Sequence, residues 1–345
     1  MKILHISYCE TNAGWGAECF VDRALKQLGE EVIELDFKKH NETLCEKILD
    51  CGDFDLLFLQ RGDFFPIEIL KCVNRPKVFW ASELISRCRD QDRLFYCNEF
   101  SHIFVHSKEC ERILLSRLQN KHRLLPEIPE GVSCLLNGYD EQLHKRLNRH
   151  KDIDVLFVGS VTERRRKVLE KLGRKVNITV RTRVFGKDFV ELINKSKIVL
   201  NIHASKRLDT ETRIFEVLGS GAFLISETLS EENPFVPGEH YVECDINNFA
   251  DKIRYYLENN EARNKIAEAG YEEAVAKHSY LKRTEYEILP ALRRHVEVHN
   301  NGNAVNRDNL LKYNKERKRV LYRIKETLES DFIKARQKLA NKLNA

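Results

Sequence analysis

The stretch "KIVLNIHASKRLDTETRIFEVLGSGAFLISE", residues 197–227, decides how the chain is read. It opens on a continuous apolar strand, "KIVLNIH" (197–203), and passes through the polar loop "ASKRLDTET" (204–212). Helix 211–219 and a second apolar strand, "AFLISE" (222–227), follow. Gly219 and Gly221 suit a tight turn between that helix and strand. Strands that are apolar throughout, joined by a helix, predict a parallel sheet covered on both faces. The polar residues are the odd feature. Asp209, Glu211 and Arg213 open a core-building helix, and Glu216 sits among its apolar positions.

The same alternation extends in both directions. Before the stretch, "DVLFVGS" (154–160) and "NITVRTRVFG" (177–186) read as strands, with helices at 163–173 and over "KDFVELINKS". After it, "HYVECD" (240–245) is a last short strand and a helical region closes the chain. The first half repeats the build. Strands are expected at 2–7, 31–37, 55–61, 77–83 and 102–107, and helices at 16–28, 41–51, 66–73, 90–99 and 108–118. Prolines, Gly131 and Asn137-Gly138 break the period between 125 and 152, which places a junction there. The expected fold is α/β: two Rossmann-like parallel-sheet domains facing across a cleft, with C-terminal helices. The expected boundaries are 1–135, 150–290 and a helical, basic extension over 291–345.

A chain of 345 residues suits two domains better than one, because single cores stop growing at about 250–300 residues. No apolar run approaches the roughly 20 residues of a membrane span, and "MKILHISY" is too brief for a signal peptide. Ten cysteines are scattered without a C-x-x-C pair, so reduced thiols in a cytoplasmic protein are the expectation. The net charge is +5, but residues 301–345 carry +7 and the rest −2, so the body is no basic nucleic-acid-binding domain. In the tail, Leu321, Ile324, Leu328, Phe332, Ala335 and Leu339 recur at helical spacing among Lys and Arg. A solvated helix docked on the body is the plainer reading. Attachment to an anionic inner membrane surface, or to a partner, is the other.

In open parallel sheets ligands bind beyond the carboxyl ends of strands, and this rule sorts the candidates. Asp53–Asp55 and Asp152–Asp154 lead into strands, on the wrong edge, and Asp90–Asp92 reads as a helix N-terminus. No metal requirement is therefore expected. After the first strand, Asn12, Gly14 and Gly16 form a glycine loop suited to substrate, without the full G-x-G-x-x-G pattern. After the fourth and fifth strands come Glu83 and His106, each a candidate base or acceptor-binding group, or else a surface residue or cap. Gly159 and Ser160 precede the run Arg164, Arg165, Arg166, where cations at a helix N-terminus oppose its dipole unless an anion lies there. Lys206, Arg207 and Arg213 surround another helix start, an anion cradle. Glu216 is placed to hydrogen-bond a ribose diol; an i,i+3 ion pair with Arg213 is the competing reading.

The segments "DVLFVGSVTERRRKVLEKL", "VFGKDFVELINKSKIVLNIHASKRLDTETRIFEVLGSGAFLISE" and "NNFADKIRYYLENNEARNKIAEAGYEEAVAKHSYLKRTEYEIL" together resemble the C-terminal domain of family-1-type glycosyltransferases, most closely the CgeB-like (spore-maturation-protein) group. The resemblance covers about residues 154–290. It implies a GT-B fold, a nucleotide-sugar donor held mainly by the second domain, an acceptor-side first domain, and no bound metal or cofactor. Glu216 matches the ribose-binding glutamate, Gly159 and the following arginines the phosphate-side loop, and Phe185-Gly186 the turn lining the base. Asp209, Thr210, Glu211, Thr212 and Arg213 match the segment around the diphosphate and donor sugar. Many retaining members carry a second glutamate eight positions before the first, where this chain has Leu208; Glu211 or Asp209 are the candidate substitutes. "WASE" (80–83) loosely resembles an acceptor-side strand end.

The expected function is a metal-independent glycosyltransferase moving a sugar from a nucleotide-diphosphate donor to a hydroxyl acceptor on a glycan, lipid or protein. Lys206, Arg207, Arg213 and one of Arg164–Arg166 would stabilise the leaving diphosphate, and Glu83 or His106 would deprotonate the acceptor. The alternative is a catalytically inactive nucleotide-sugar-binding or scaffold protein of the same fold. No nucleic-acid partner is expected.

Overall fold

The computed structural model describes residues 1–12, 16–85, 89–121, 131–296 and 302–323. In the first half, strands β1 (Lys2–Ser7), β2 (Glu31–Asp36), β3 (Leu56–Gln60), β4 (Lys77–Ala81), β5 (His102–Val105) and β6 (Gly131–Cys134) form one sheet. Its order is β2-β1-β3-β4-β5-β6, and every pairing is parallel. Helices α1 (Ala17–Gln27), α2 (Leu44–Asp50), α3 (Ile67–Lys71), α4 (Arg89–Asp92) and α5 (Lys108–Lys121) connect the strands. Because side chains alternate along a strand, Leu57, Leu59 and Phe79 enter one core face while Leu56, Phe58, Val78 and Trp80 enter the other.

The second half repeats this build. Strands β7 (Ile153–Val158), β8 (Thr179–Arg181), β9 (Ser196–Asn201), β10 (Leu224–Ser226) and β11 (Val242–Glu243) pair in parallel in the order β11-β10-β9-β7-β8. Helices α6 (Glu163–Gly173), α7 (Gly186–Asn194), α8 (Thr212–Gly219), α9 (Phe249–Glu258) and α10 (Asn260–Lys277) cover it. The stretch that opened the reading is β9, α8 and β10. Ile214, Phe215, Val217 and Leu218 bury the inner face of α8 against Val199 and Leu224. Gly221 turns the chain with φ +69°, a left-handed conformation that other residues adopt only at a cost. Burying one such Leu or Phe contributes about 1.5–3 kcal/mol. An exposed ion pair contributes about 0–1 kcal/mol, so the two-faced cores dominate the stability of each domain.

The structure differs from the sequence reading in places with identifiable causes. Strand β6 lies inside the segment read as junction, in register with β5, so the connection begins only after Cys134. Its Gly131 and short length hide it; a Cβ at Gly131 would meet the His102 ring. Strand β8, at the sheet edge, spans only three residues of the expected 177–186, and the chain turns through Arg183 at φ 56° into α7. The two interdomain crossings run side by side: Tyr280 N–H donates to Tyr139 O at 2.9 Å and Tyr139 N–H to His278 O at 3.3 Å. Beyond them α11 (Tyr280–Arg283) and α12 (Leu289–Val296) return to the first sheet, packing Tyr280, Ile288, Leu289 and Leu292 with Phe20 and Val78.

Helix 307–323 also rests on the first domain, through Leu310 and hydrogen bonds from Asn314 and Lys318 to Glu46. Ile324, Leu328, Phe332, Ala335 and Leu339 lie outside the described residues. Among those described, no helix is long and apolar enough to cross a membrane. Cys9 and Cys19 lie side by side, with Cα atoms 5.0 Å apart, within the range a disulfide spans.

Candidate active site in the interdomain cleft

Each sheet has a point where the strand order reverses, and loops leaving the strands on either side part to form a crevice. In the first sheet this falls between β1 and β3, and in the second between β7 and β9. The two crevices face each other across a cavity of about 660 Å³. Its first-domain wall carries Asn12, Gly16, Glu18, Arg61, Glu83, His106 and Asn137. Its second-domain wall carries Ser160, Arg165, Phe185, Gly186, Phe189, Asp209, Glu211, Thr212, Arg213 and Glu216, with His144 from the connecting segment.

The second-domain wall is built around Arg213 in the first turn of α8. Its guanidinium lies over the Phe189 ring at 5.1 Å and close against Gly159, where a Cβ would sit 2.8 Å from Nη1. Its Nε is buried with no hydrogen-bond partner among the described residues. Burial lowers the Arg213 pKa, while Glu216 and Glu211 pull the other way without fully offsetting it. Such an arginine, beside the first-turn N–H groups of α8, is suited to an anion. Glu216 faces Nε2 of His144 at 3.5 Å rather than closing an ion pair with Arg213. Burial would raise the Glu216 pKa, but His144, and then Arg213, hold it below the usual carboxylate range. Arg165 Nη2 donates to both oxygens of Glu211, at 2.9 and 3.1 Å, while its Nε donates to Ile202 O at 2.7 Å.

The two walls meet at one buried contact. His106 Nε2 lies 2.7 Å from Asp209 Oδ1, with the residues 7% and 3% exposed, and Asn137 Nδ2 approaches the other ring nitrogen at 3.4 Å. Nearby, Arg207 donates to Glu109 and to Ile85 O of the first domain, both at 2.8 Å. The loop between β9 and α8 is thus fastened to the opposite domain. Among the described residues, no group of three or more His, Cys, Asp or Glu is placed to hold a metal ion.

The chain matches the glycosyl transferase-like family over residues 139–289. Comparison with curated proteins found no match. Among solved structures, it is similar to Anabaena HepE in complex with UDP-glucose, with 13% identity, TM-score 0.60, and coverage of 85% of this chain and 100% of that one. A sucrose-phosphate synthase from Thermosynechococcus elongatus gives 10% identity, TM-score 0.58, and coverage of 85% and 99%. A glycosyltransferase from Rickettsia africae gives 12% identity, TM-score 0.54, and coverage of 85% and 98%. The fold is GT-B.

Within this GT-B cleft, the residues singled out from sequence separate into three groups. Asn12, Gly16, Glu83, His106, Ser160, Arg165, Phe185, Gly186, Asp209, Glu211, Thr212, Arg213 and Glu216 border the cavity, and Gly159 borders the adjoining recess beside Phe185. Gly14 lies outside the described residues. Arg164, Lys206, Arg207 and Thr210 do not border the cavity. Arg164 is engaged by Glu227 and His203 O, Thr210 is buried against Ser230, and Arg166 pairs with Glu163 and Glu170 on the exposed face of α6. Sequence reasoning missed Glu18, Arg61, Asn137 and His144. The one signal for His144 was its place in a turn-rich segment between domains.

Proposed function

We propose that the chain is a glycosyltransferase that takes a nucleotide-diphosphate sugar on its second-domain wall and transfers the sugar to a hydroxyl acceptor held on its first-domain wall. The observation that carries this reading is Arg213: a half-buried guanidinium at a helix N-terminus in the interdomain cavity, whose Nε is buried without a hydrogen-bond partner among the described residues. A diphosphate there would meet Arg213, Arg165 and the first-turn N–H groups of α8, which stabilise charge developing on the leaving group without a metal. Glu216, held ionised by His144, suits a ribose diol. Phe185, half exposed at the rim with Gly186, suits the base. The neighbour bound to UDP-glucose supports a nucleotide sugar as the donor class. Membership of the CgeB-like group, a cytoplasmic location and the absence of a cofactor belong to the same reading. A peripheral contact of the exposed Lys312, Lys315, Arg319 and Arg323 with an anionic membrane surface also belongs to this reading, and cosedimentation with phosphatidylglycerol vesicles tests it.

One observation favours the second reading, an inactive nucleotide-sugar-binding protein. The position eight before Glu216 is Leu208, 48% exposed, and both candidate substitutes are engaged, Asp209 with His106 and Glu211 with Arg165. Incubation with a panel of UDP-, GDP-, ADP- and dTDP-sugars separates the two. Release of nucleoside diphosphate is expected for the enzyme; binding without release supports the inactive protein.

A further inference from the structure

The reversal point of the first sheet carries a carboxylate that no step above uses. Glu18, in the first turn of α1, is 4% exposed and still borders the cavity. Among the described residues its nearest opposite charge is Arg61 Nε at 3.8 Å, beyond hydrogen-bond distance. Arg61 is itself shared. Its Nη2 stands 3.7 Å from both Asp63 and Glu83, and its guanidinium lies over the Tyr8 ring. Arg61 therefore steadies the group without neutralising Glu18 in a tight pair.

Of the other acids and bases of the cleft, Glu83 shares Arg61 at 3.7 Å but is more open to solvent, its side chain 27% exposed against 5% for Glu18. His106 has both ring nitrogens in contact, Glu211 holds Arg165, and Glu216 stands with His144 on the donor wall. Burying a carboxylate without a close cation is costly, and such groups concentrate where chemistry needs them.

We infer that Glu18 accepts the proton of the acceptor hydroxyl. This rests on the glycosyltransferase reading. In the step, the acceptor O–H proton passes to the Glu18 carboxylate as the acceptor oxygen bonds to the anomeric carbon. The bond from that carbon to the diphosphate oxygen breaks, and its electron pair leaves with the nucleoside diphosphate. Asn12, Tyr8 and His5 on the β1 side, Arg61 and Asp63 after β3, and Tyr280 of α11 surround the carboxylate. Burial raises its pKa; Arg61 and His5 offset part of this and Asp63 adds to it. Only the ionised form accepts a proton. Turnover should therefore fall as pH drops through that raised value, and the acid limb should lie above the range of an ordinary carboxylate.

The test uses the nucleotide sugar turned over fastest in the panel, with water as acceptor, and UDP binding as the control for folding. Glu18→Gln should lower kcat on the order of 10²–10⁴-fold, remove the acid limb and leave UDP affinity unchanged. In Glu18→Ala, added formate should restore part of kcat. A Glu18→Gln enzyme that turns over like wild type at every pH, or an acid limb that survives the substitution, overturns the inference alone. A wild-type protein that binds no nucleoside diphosphate overturns the donor reading beneath it.

Discussion

The two walls of the cleft hold charge in opposite ways. On the second-domain wall the carboxylates near Arg213 pair elsewhere, Glu216 with His144 and Glu211 with Arg165, and the N-terminus of α8 adds to its positive field. On the first-domain wall the guanidinium is shared, with Arg61 standing among Glu18, Asp63 and Glu83. An incoming anion completes the first arrangement, whereas the second suits hydroxyl groups. Under the proposed function, one repeated fold presents a donor surface and an acceptor surface at equivalent points of its two sheets.

The contrast breaks most readily at Arg213. Arg213→Ala should cost about 1.5–3 kcal/mol of UDP binding, roughly a 10- to 150-fold rise in Kd by calorimetry. Equal losses in Arg213→Ala and Arg61→Ala would erase the distinction between the walls. The contact joining them comes next. His106→Ala should lower stability by about 1–3 kcal/mol in denaturant, and a double-mutant cycle with Asp209→Ala should give less than the sum of the single effects. Additive losses would mean that the two residues do not act as a pair. Glu216→Ala should weaken UDP by about 1 kcal/mol, roughly fivefold, and deoxyribonucleotides should not sense the change.

The smallest effect concerns the C-terminal helix. Burial would raise the Glu46 pKa, but hydrogen bonds from Lys318 and Asn314 hold it down to about 2. A depressed carboxylate stabilises docking above its ordinary value and loses that contribution as pH falls toward 2. Hydrogen exchange in helix 307–323 should therefore accelerate between about pH 4.5 and 2 in wild type and lack this step in Glu46→Gln.

The β9–α8–β10 unit was legible because its strands are apolar throughout, and Arg213 and Glu216 stood out by interrupting an apolar helix. Glu18 did not stand out, since an acid in a first helical turn reads as a dipole complement. Arg164, Arg165 and Arg166 read as one cluster, but successive helical residues point about 100° apart, so one borders the cavity, one pairs with Glu227 and one faces solvent. His144 and Arg61 join the site from segments far apart in sequence. Their meeting depends on strand order, which no local periodicity encodes.

Hydrogen exchange with and without saturating UDP tests the central claim most directly, because it reads both walls in one experiment. Protection concentrated in 159–165, 184–189 and 209–216, with the exits of β1 and β3 changed little, is the predicted result. Protection confined to residues 8–20 and 60–64 would place the nucleotide on the first domain and contradict the account.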